Sequence, residues 1–146
     1  MIKRVDYKIV FDIWTNHLWP DRKSPIEQHS AMLISETYDL KNYEYEPTFF
    51  VYEVDGKIAG CNSGHMCCDN TYRSRGLYVF PEYRKKGYGK ELLLATIDQG
   101  RKENATSVWS YPRYESWPTY KSAGFELISE WRHGETGVNA HCQLTF

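Results

Sequence analysis

The sequence predicts an α/β (α+β) protein built on a mixed, mostly antiparallel sheet with one parallel βαβ crossover and flanking helices. A hairpin pattern occupies residues 48–61, a helical pattern lies between two strand patterns within 71–110, and short turn signals separate the other elements. A strand, a helix and a second strand in this order place the two strands parallel, with a right-handed connection. A chain of 146 residues corresponds to one domain, predicted over 1–146.

The N-terminal third is predicted to hold one strand and two helices. Residues 1–6 form a short strand, and apolar residues recur at helical spacing over 9–18. Ser24-Pro25-Ile26-Glu27 carries helix-start residues, because Ser can cap, Pro suits the first turn and Glu can reach back to the cap. We therefore expect a second helix from Ser24 to about Tyr38.

The middle of the chain has the pattern of antiparallel strands. Residues 48–54 are rich in β-branched and aromatic side chains, and Asp55-Gly56 suits a tight hairpin before the strand at 57–61. Asp69-Asn70 marks a second turn, which leads into a strand over 71–80.

Helix and strand patterns alternate in the C-terminal half. Gly124 suits a left-handed helix stop, and Gly134 with Gly137 suits a turn. The predicted elements are a helix over 87–103, a strand over 106–110, a short helix over 115–122, a strand over 125–128 and a final strand over 138–146.

Composition and charge argue against several classes of function. Lys and Arg number 18 and Asp and Glu 19, a net charge of -1, and 41% of residues are hydrophobic, as in ordered globular proteins. Such a balance creates no broad positive field, so we expect neither nucleic acid nor a membrane surface as partner. No apolar stretch is long enough to span a bilayer, and the N-terminus lacks a signal-peptide core, so we expect a cytoplasmic protein.

The four cysteines include a vicinal pair and are predicted to be reduced thiols. His65-Met66-Cys67-Cys68-Asp69 and His141-Cys142 contain residue types that bind zinc. Adjacent residues of a strand face opposite ways, however, and the usual ligand spacings are missing. We therefore expect no metal.

The turn that joins the strand at 71–80 to the helix at 87–103 has the properties of an anion site. The first N–H groups of a helix lack intrahelical partners and carry the positive end of its dipole. Gly87 and Gly89 leave these amides accessible. We call residues 84–90 the glycine turn; its cations are Arg84, Lys85, Lys86 and Lys90. Either it holds a diphosphate, or it is a plain turn with solvated basic residues.

Two motifs resemble a known family. Arg84-Lys85-Lys86-Gly87-Tyr88-Gly89 resembles the R/Q-x-x-G-x-G/A signature of the GCN5-related N-acetyltransferase (GNAT) superfamily, and Tyr120-Lys121-Ser122-Ala123-Gly124-Phe125 is similar to the ending of that family's last helix. The resemblance implies a GNAT-like fold with acetyl-CoA as co-substrate, bound where strands near 72–80 and 106–110 splay apart. It implies transfer of an acetyl group to a primary amine by direct attack; the alternative is a non-catalytic acyl-CoA-binding module.

The resemblance also implies roles for individual residues. Tyr120 is the predicted general acid that donates a proton to the CoA thiolate, with packing as its alternative role. Backbone groups of Leu77, Tyr78 and Val79 would bind the pantetheine arm as an added strand does. The diphosphate would lie on amides of the glycine turn, which Arg84 closes: Lys85, Lys86, Gly87, Tyr88, Gly89 and Lys90.

The acceptor side departs from the family pattern. Arg73 and Arg75 stand where many members carry a Glu or His base, and an arginine cannot act as a base. Two positions apart on a strand, they share a face and suit a carboxylate or phosphate on the acceptor, unless that face is simply solvated. His65 and Glu53 are candidate bases, and neither is assigned.

The expected partner is a small-molecule or peptide amine, and pairing of edge strands leaves a homodimer open. An acceptor pocket is expected to involve residues 15–45, and four aromatic residues are expected near the cleft: Trp109, Tyr111, Tyr114 and Trp117. The sequence does not select the acceptor, or decide between acetyl and longer acyl groups.

Overall fold

The computed structural model describes residues 1–135 and 137–146, and these residues form a mixed sheet with flanking helices. The strands in chain order are β1 (Ile2–Val5), β2 (Thr48–Val54), β3 (Lys57–Met66), β4 (Tyr72–Val79), β5 (Ser107–Ser110), β6 (Glu126–Leu127), β7 (Arg132–Gly134), β8 (Gly137–Asn139) and β9 (Cys142–Thr145). Among the described residues, seven strands form one sheet in the order β1-β2-β3-β4-β5-β9-β6, and β7 pairs with β8. All pairs are antiparallel except β4 with β5, which confirms the predicted fold class.

The helical segments lie between these strands. They are α1 (Tyr7–Ile13), which continues as a π-helical turn (Trp14–Leu18), α2 (Tyr88–Lys102), α3 (Trp117–Ser122), and 3-10 turns at Leu40–Glu44, Pro81–Tyr83 and Tyr114–Ser116. Helix α2 forms the βαβ crossover between β4 and β5, as predicted. No helix in the described part of the chain has the length and apolar character needed to cross a membrane.

Two apolar clusters hold the helices against the sheet. One lies under α1 and includes Trp14 and Phe49; the other lies under α2 and includes Leu93, Tyr72 and Val108. Each cluster joins residues that are far apart in the sequence, so burial of apolar surface fixes the helices on the strands.

The hairpin predictions are confirmed. Asp55 and Gly56 have φ values of 50° and 78°, the left-handed pair that a two-residue hairpin requires. Asn70 is also left-handed, with φ of 68°, at the predicted second turn. The strand predicted at 57–61 extends to Met66 as β3.

The helix predicted from Ser24 to about Tyr38 is wrong. The segment runs as an irregular loop, and an isolated bridge joins Met32 to Tyr38. Its polar groups bond to distant residues: the Ser24 N–H donates to the Glu135 carboxylate at 3.1 Å, and the Ser30 N–H donates to His65 Nε2 at 3.2 Å. These partners replace the i to i−4 bonds that a helix would make.

The strand predicted over 138–146 is divided in two. Residues 137–139 form β8 in the hairpin, whereas 142–145 form β9 in the main sheet. The break occurs at Ala140, whose N–H donates to Pro112 O at 3.2 Å. The turn predicted between Gly134 and Gly137 includes residue 136, which lies outside the described residues.

Candidate functional site

A cleft opens where β4 and β5 separate. The two strands pair only at Tyr72 with Val108 and Arg73 with Trp109. The Ser110 hydroxyl donates to Ser74 O at 2.7 Å, and no register pair joins β4 to β5 beyond this point in the described chain. A cavity of about 620 Å³ lies at this opening, bordered by β4, the segment after β5 and the loop 18–43.

Gly76 accounts for the divergence of β4. It has φ of +77°, and a Cβ at this position would lie 2.3 Å from the Trp14 indole. The Gly76 carbonyl accepts from Trp14 Nε1 at 2.8 Å, so the tryptophan holds the bent backbone in place. A glycine inside a strand pattern was the available sequence signal for this irregularity.

The glycine turn presents free amides at the start of α2. The first intrahelical bond is donated by the Glu91 N–H to Gly87 O at 3.1 Å, so the amides of Tyr88, Gly89 and Lys90 have no intrahelical acceptor. These three donors lie at the positive end of a helix of 15 residues. The arrangement provides local anion-binding chemistry of the kind the sequence predicts.

The two glycines of the turn serve different purposes. Gly87 caps α2 with φ of 85°, and an added Cβ would meet no atom within 4 Å, so the backbone conformation explains this glycine. At Gly89 a Cβ would lie 3.1 Å from Thr119 Cγ2, so close packing against α3 explains that one.

Arg84 closes the glycine turn onto β4. Its Nε donates to Val79 O at 2.8 Å, and its guanidinium lies 5.5 Å from the centre of the Tyr78 ring. The lysines of the turn are exposed: Lys85, Lys86 and Lys90. The Tyr88 ring stacks on Tyr52 at 4.3 Å, so its side chain packs on the protein while its amide stays at the helix start.

Leu77, Tyr78 and Val79 form the end of β4 beyond the bend. In β3, Gly60 lies opposite Val79 and Cys61 lies opposite Tyr78. On the side toward β5 this part of β4 has no register partner among the described residues. The three residues therefore offer a strand edge beside the cleft, where the predicted pantetheine contacts would be made.

Tyr120 lines the cavity from α3. The side chain is 3% exposed, and its ring packs edge-on against Phe125 with centres 5.5 Å apart. Burial raises the pKa of the Tyr120 phenol, and the Ser110 hydroxyl and the Arg73 cation partly offset this. The phenol is therefore protonated near neutral pH and can donate a hydrogen bond.

Neither candidate base is supported by the structure. His65 is fully buried; its Nε2 accepts from the Ser30 N–H, and its Nδ1 lies 3.0 Å from Met66 O. Burial lowers the pKa of His65 to about 3, so its imidazole stays neutral at ordinary pH and is a poor acceptor for a further proton. Glu53 pairs with Lys3 at 2.9 Å and does not line the cavity.

Arg73 and Arg75 line the cavity together and are buried, with 8% and 4% of their surfaces exposed. The alternative of a solvated sheet face is therefore wrong. The sequence predicts residues 15–45 at the acceptor pocket but does not single out Arg22 or Glu27, which line the same cavity.

The four aromatic residues expected near the cleft have different surroundings. Tyr111 lines the cavity, whereas Trp109 is buried beneath Arg73. Tyr114 and Trp117 pack edge-on against Trp131. The described residues contain no group of three or more metal-ligand side chains, and all four cysteines are free.

Comparison with known proteins identifies relatives by sequence family and by fold. Residues 11–125 match the model of the acetyltransferase (GNAT) family. No curated protein matches the sequence. The fold is similar to that of a ribosomal-protein-alanine N-acetyltransferase from Brucella melitensis, with 15% identity, a TM-score of 0.67 and coverage of 100% of this chain and 99% of that one.

Two further solved structures show the same likeness. A Bacillus subtilis acetyltransferase in complex with CoA has 15% identity and a TM-score of 0.67, over 99% of this chain and 97% of that one. The ribosomal-protein-S18-alanine N-acetyltransferase of Escherichia coli has 16% identity and a TM-score of 0.65, over 99% and 92%. At these identities the likeness concerns the fold.

Proposed function

The chain belongs to the GNAT acetyltransferase family, and on that basis we propose that it moves the acetyl group of acetyl-CoA directly onto a primary amine. As a family member it is an acyl-CoA N-acyltransferase with acetyl-CoA as donor. The observations that carry the finer proposal are a buried phenol, Tyr120, that lines the cavity, and free helix amides at a helix start that packs against Thr119 and Val79 through Gly89.

The described residues suit the donor substrate. Amides of Tyr88, Gly89 and Lys90 would hold the diphosphate, with the lysines of the glycine turn adding charge. The edge of β4 from Leu77 to Val79 would bind the amides of the pantetheine arm as a neighbouring strand would. The thioester would then lie at the cleft.

Direct transfer breaks one bond and forms another. The unprotonated amine attacks the acetyl carbonyl carbon, an N–C bond forms, and the C–S bond breaks with its electron pair moving to sulfur. Tyr120 donates its hydrogen bond, and then its proton, to that sulfur. The nitrogen loses a proton to solvent, and Tyr120 regains a proton from solvent, so the enzyme returns to its starting state. Because burial raises the pKa of Tyr120, the phenol keeps its proton until negative charge develops on the sulfur, and it acts first as a hydrogen-bond donor.

Arg73 and Arg75 complete the proposal as acceptor-binding residues, because both line the cavity beside Tyr120. Their guanidinium groups suit a carboxylate or phosphate of the acceptor.

A matched pair of glycine variants tests the proposed diphosphate site. Gly87→Ala and Gly56→Ala each place an alanine at a left-handed φ, +85° or +78°, with no atom within 4 Å of the new Cβ. Both should cost about 1–2 kcal/mol of stability. Calorimetric titration with CoA should show at least tenfold weaker binding for Gly87→Ala and unchanged binding for Gly56→Ala. Equal affinities in the two variants would contradict the site.

A thiol-release assay separates the enzyme from the binding module. The protein is incubated with acetyl-CoA and a panel of primary amines, and free thiol is measured. Release that depends on the amine supports transfer. CoA binding without release from any amine would support the non-catalytic module instead.

A further inference from the structure

The cavity contains buried positive charge without a protein counter-ion. Arg73 Nε donates to Ser74 O at 3.1 Å, and Arg75 Nη1 donates to Glu27 O at 2.8 Å. Both acceptors are neutral main-chain carbonyls, and no ion pair involves either arginine within the described residues. Burial, followed by the cations Arg73 and Arg22, lowers the pKa of Arg75 to about 9. Burying unpaired guanidinium groups is costly, so an anionic ligand would relieve this cost.

Aromatic rings hold both guanidinium groups in place. The Arg73 group lies 4.4 Å from the centre of the Trp109 ring, and the Arg75 group lies 4.9 Å from Trp14 and 5.2 Å from Trp19. Such contacts support a guanidinium through its face and leave its N–H groups for partners in its own plane. A carboxylate or a phosphate is the ligand that matches this planar set of donors.

The same cavity has one carboxylate that is available for a cation. Its two carboxylate residues are Glu27 and Glu135. Glu135 is already occupied, because it accepts from the Lys23 N–H at 2.9 Å and from the N–H and hydroxyl of Ser24. Glu27 is exposed and has no ion pair in the described chain, although its main-chain carbonyl is the acceptor for Arg75. The cavity lining therefore includes one carboxylate as well as the two arginines, and no ion pair joins them in the described chain.

We infer that the acceptor is a small zwitterion, an amine that carries its own carboxylate or phosphonate, with a free amino acid as the simplest case. Arg73 and Arg75 would bind its anionic group, and Glu27 would attract its ammonium group to the cleft that Tyr120 lines. A cavity of about 620 Å³ is within the range of small-molecule sites. The inference rests on the proposed function and names its substrate class.

The reaction balances for this class of acceptor. The ammonium group releases one proton before attack, the amine nitrogen bonds to the acetyl carbon, and the C–S bond breaks. A second proton leaves the nitrogen as the sulfur gains one, so the products are an N-acetyl amino acid, CoA with a free thiol and one proton.

The first test uses the unmodified protein and matched acceptors. Thiol release is measured with acetyl-CoA and the common amino acids, their carboxamides, their decarboxylated amines and aminophosphonates. At least one amino acid or aminophosphonate should have a kcat/KM a hundredfold higher than that of the matching amine without the anionic group. Comparing the amino acids with the aminophosphonates then identifies the preferred anion. Faster reaction of carboxamides, polyamines or peptide N-termini would overturn the inference while leaving acetyl transfer intact. Absence of CoA binding would instead refute the proposed function.

The second test uses variants that preserve size or charge. Arg75→Lys keeps the positive charge but loses the planar donors, and Glu27→Gln keeps the size of an exposed side chain. Each should raise KM for the acceptor at least tenfold and leave KM for acetyl-CoA unchanged. The control Glu126→Gln, an exposed residue of β6, should match the unmodified protein. Unchanged acceptor KM in both site variants would overturn the inference.

Discussion

Replacing Tyr120 by Phe removes one hydroxyl and keeps the ring that packs against Phe125. The ring is buried in the α2-side cluster, so Phe retains nearly all of the apolar contact. The Ser110 hydroxyl already donates to Ser74 O, so loss of the Tyr120 hydroxyl should cost at most about 1 kcal/mol, or a fall of no more than about 2–4 °C in Tm. Loss of a proton donor to the leaving sulfur should lower kcat by about 10²–10⁴-fold, which corresponds to about 3–5 kcal/mol. The catalytic effect would then clearly exceed the structural one.

Tyr72→Phe is the matched control. Tyr72 belongs to the same cluster and is fully buried, and its hydroxyl has no hydrogen-bond partner among the described residues. Removing an unpaired buried hydroxyl should leave stability unchanged or raise it. Turnover of this variant should be unaffected, since Tyr72 does not line the cavity.

The assay combines thiol release at saturating acetyl-CoA with thermal unfolding and CoA titration. We expect Tyr120→Phe to bind CoA normally and react slowly. If Tyr120→Phe retains full kcat, or if Tyr72→Phe slows the reaction to the same extent, the assignment of Tyr120 as proton donor is refuted and only its packing role remains.

Two further predictions concern stability. Because burial lowers the folded pKa of His65 to about 3 from an ordinary 6.5, the unfolded chain binds more protons between these values, and stability is lost as pH falls through that range. His65→Gln should therefore reduce the slope of unfolding free energy against pH by about 1.4 kcal/mol per pH unit near pH 5, as measured by urea unfolding at several pH values. An unchanged slope would contradict the conclusion that His65 is neutral in the folded protein. Leu93→Ala, at a fully buried site of α2, should lower the free energy of unfolding by about 2–5 kcal/mol. Leu94→Ala, at a site that is 39% exposed, should lower it far less. Similar losses in the two variants would show that α2 does not pack as described.

The glycine turn and α2 could be predicted from the sequence because their signals are local. A helix start, its glycine cap and its apolar spacing lie within about 20 residues, and the observed helix Tyr88–Lys102 falls within the predicted 87–103. The Asp55-Gly56 hairpin is local in the same way, since two left-handed residues define the turn.

The helix predicted from Ser24 shows where such signals fail. The motif contains the residue types of a helix start, yet the Ser24 N–H donates to the carboxylate of Glu135, which is 111 residues away. Competition from a distant partner cannot be read from a helix-start pattern, because that pattern describes only neighbouring residues.

The candidate acceptor site depends on the same kind of long-range contact. The spacing of Arg73 and Arg75 predicts that they share a strand face. The loop 18–43 covers β4, and this cover makes that face the wall of a cavity that Glu27 also lines.

The sequence by itself determined the Asp55-Gly56 hairpin and the crossover helix between two parallel strands, and it located the free amides of the glycine turn, because backbone conformation and periodic burial are encoded by neighbouring residues. Only the tertiary structure decided the bend at Gly76 under Trp14, the course of the loop 18–43 and the burial of two arginines without a counter-ion. These features arise from contacts between residues tens of positions apart, and their energies depend on which groups meet in the folded chain.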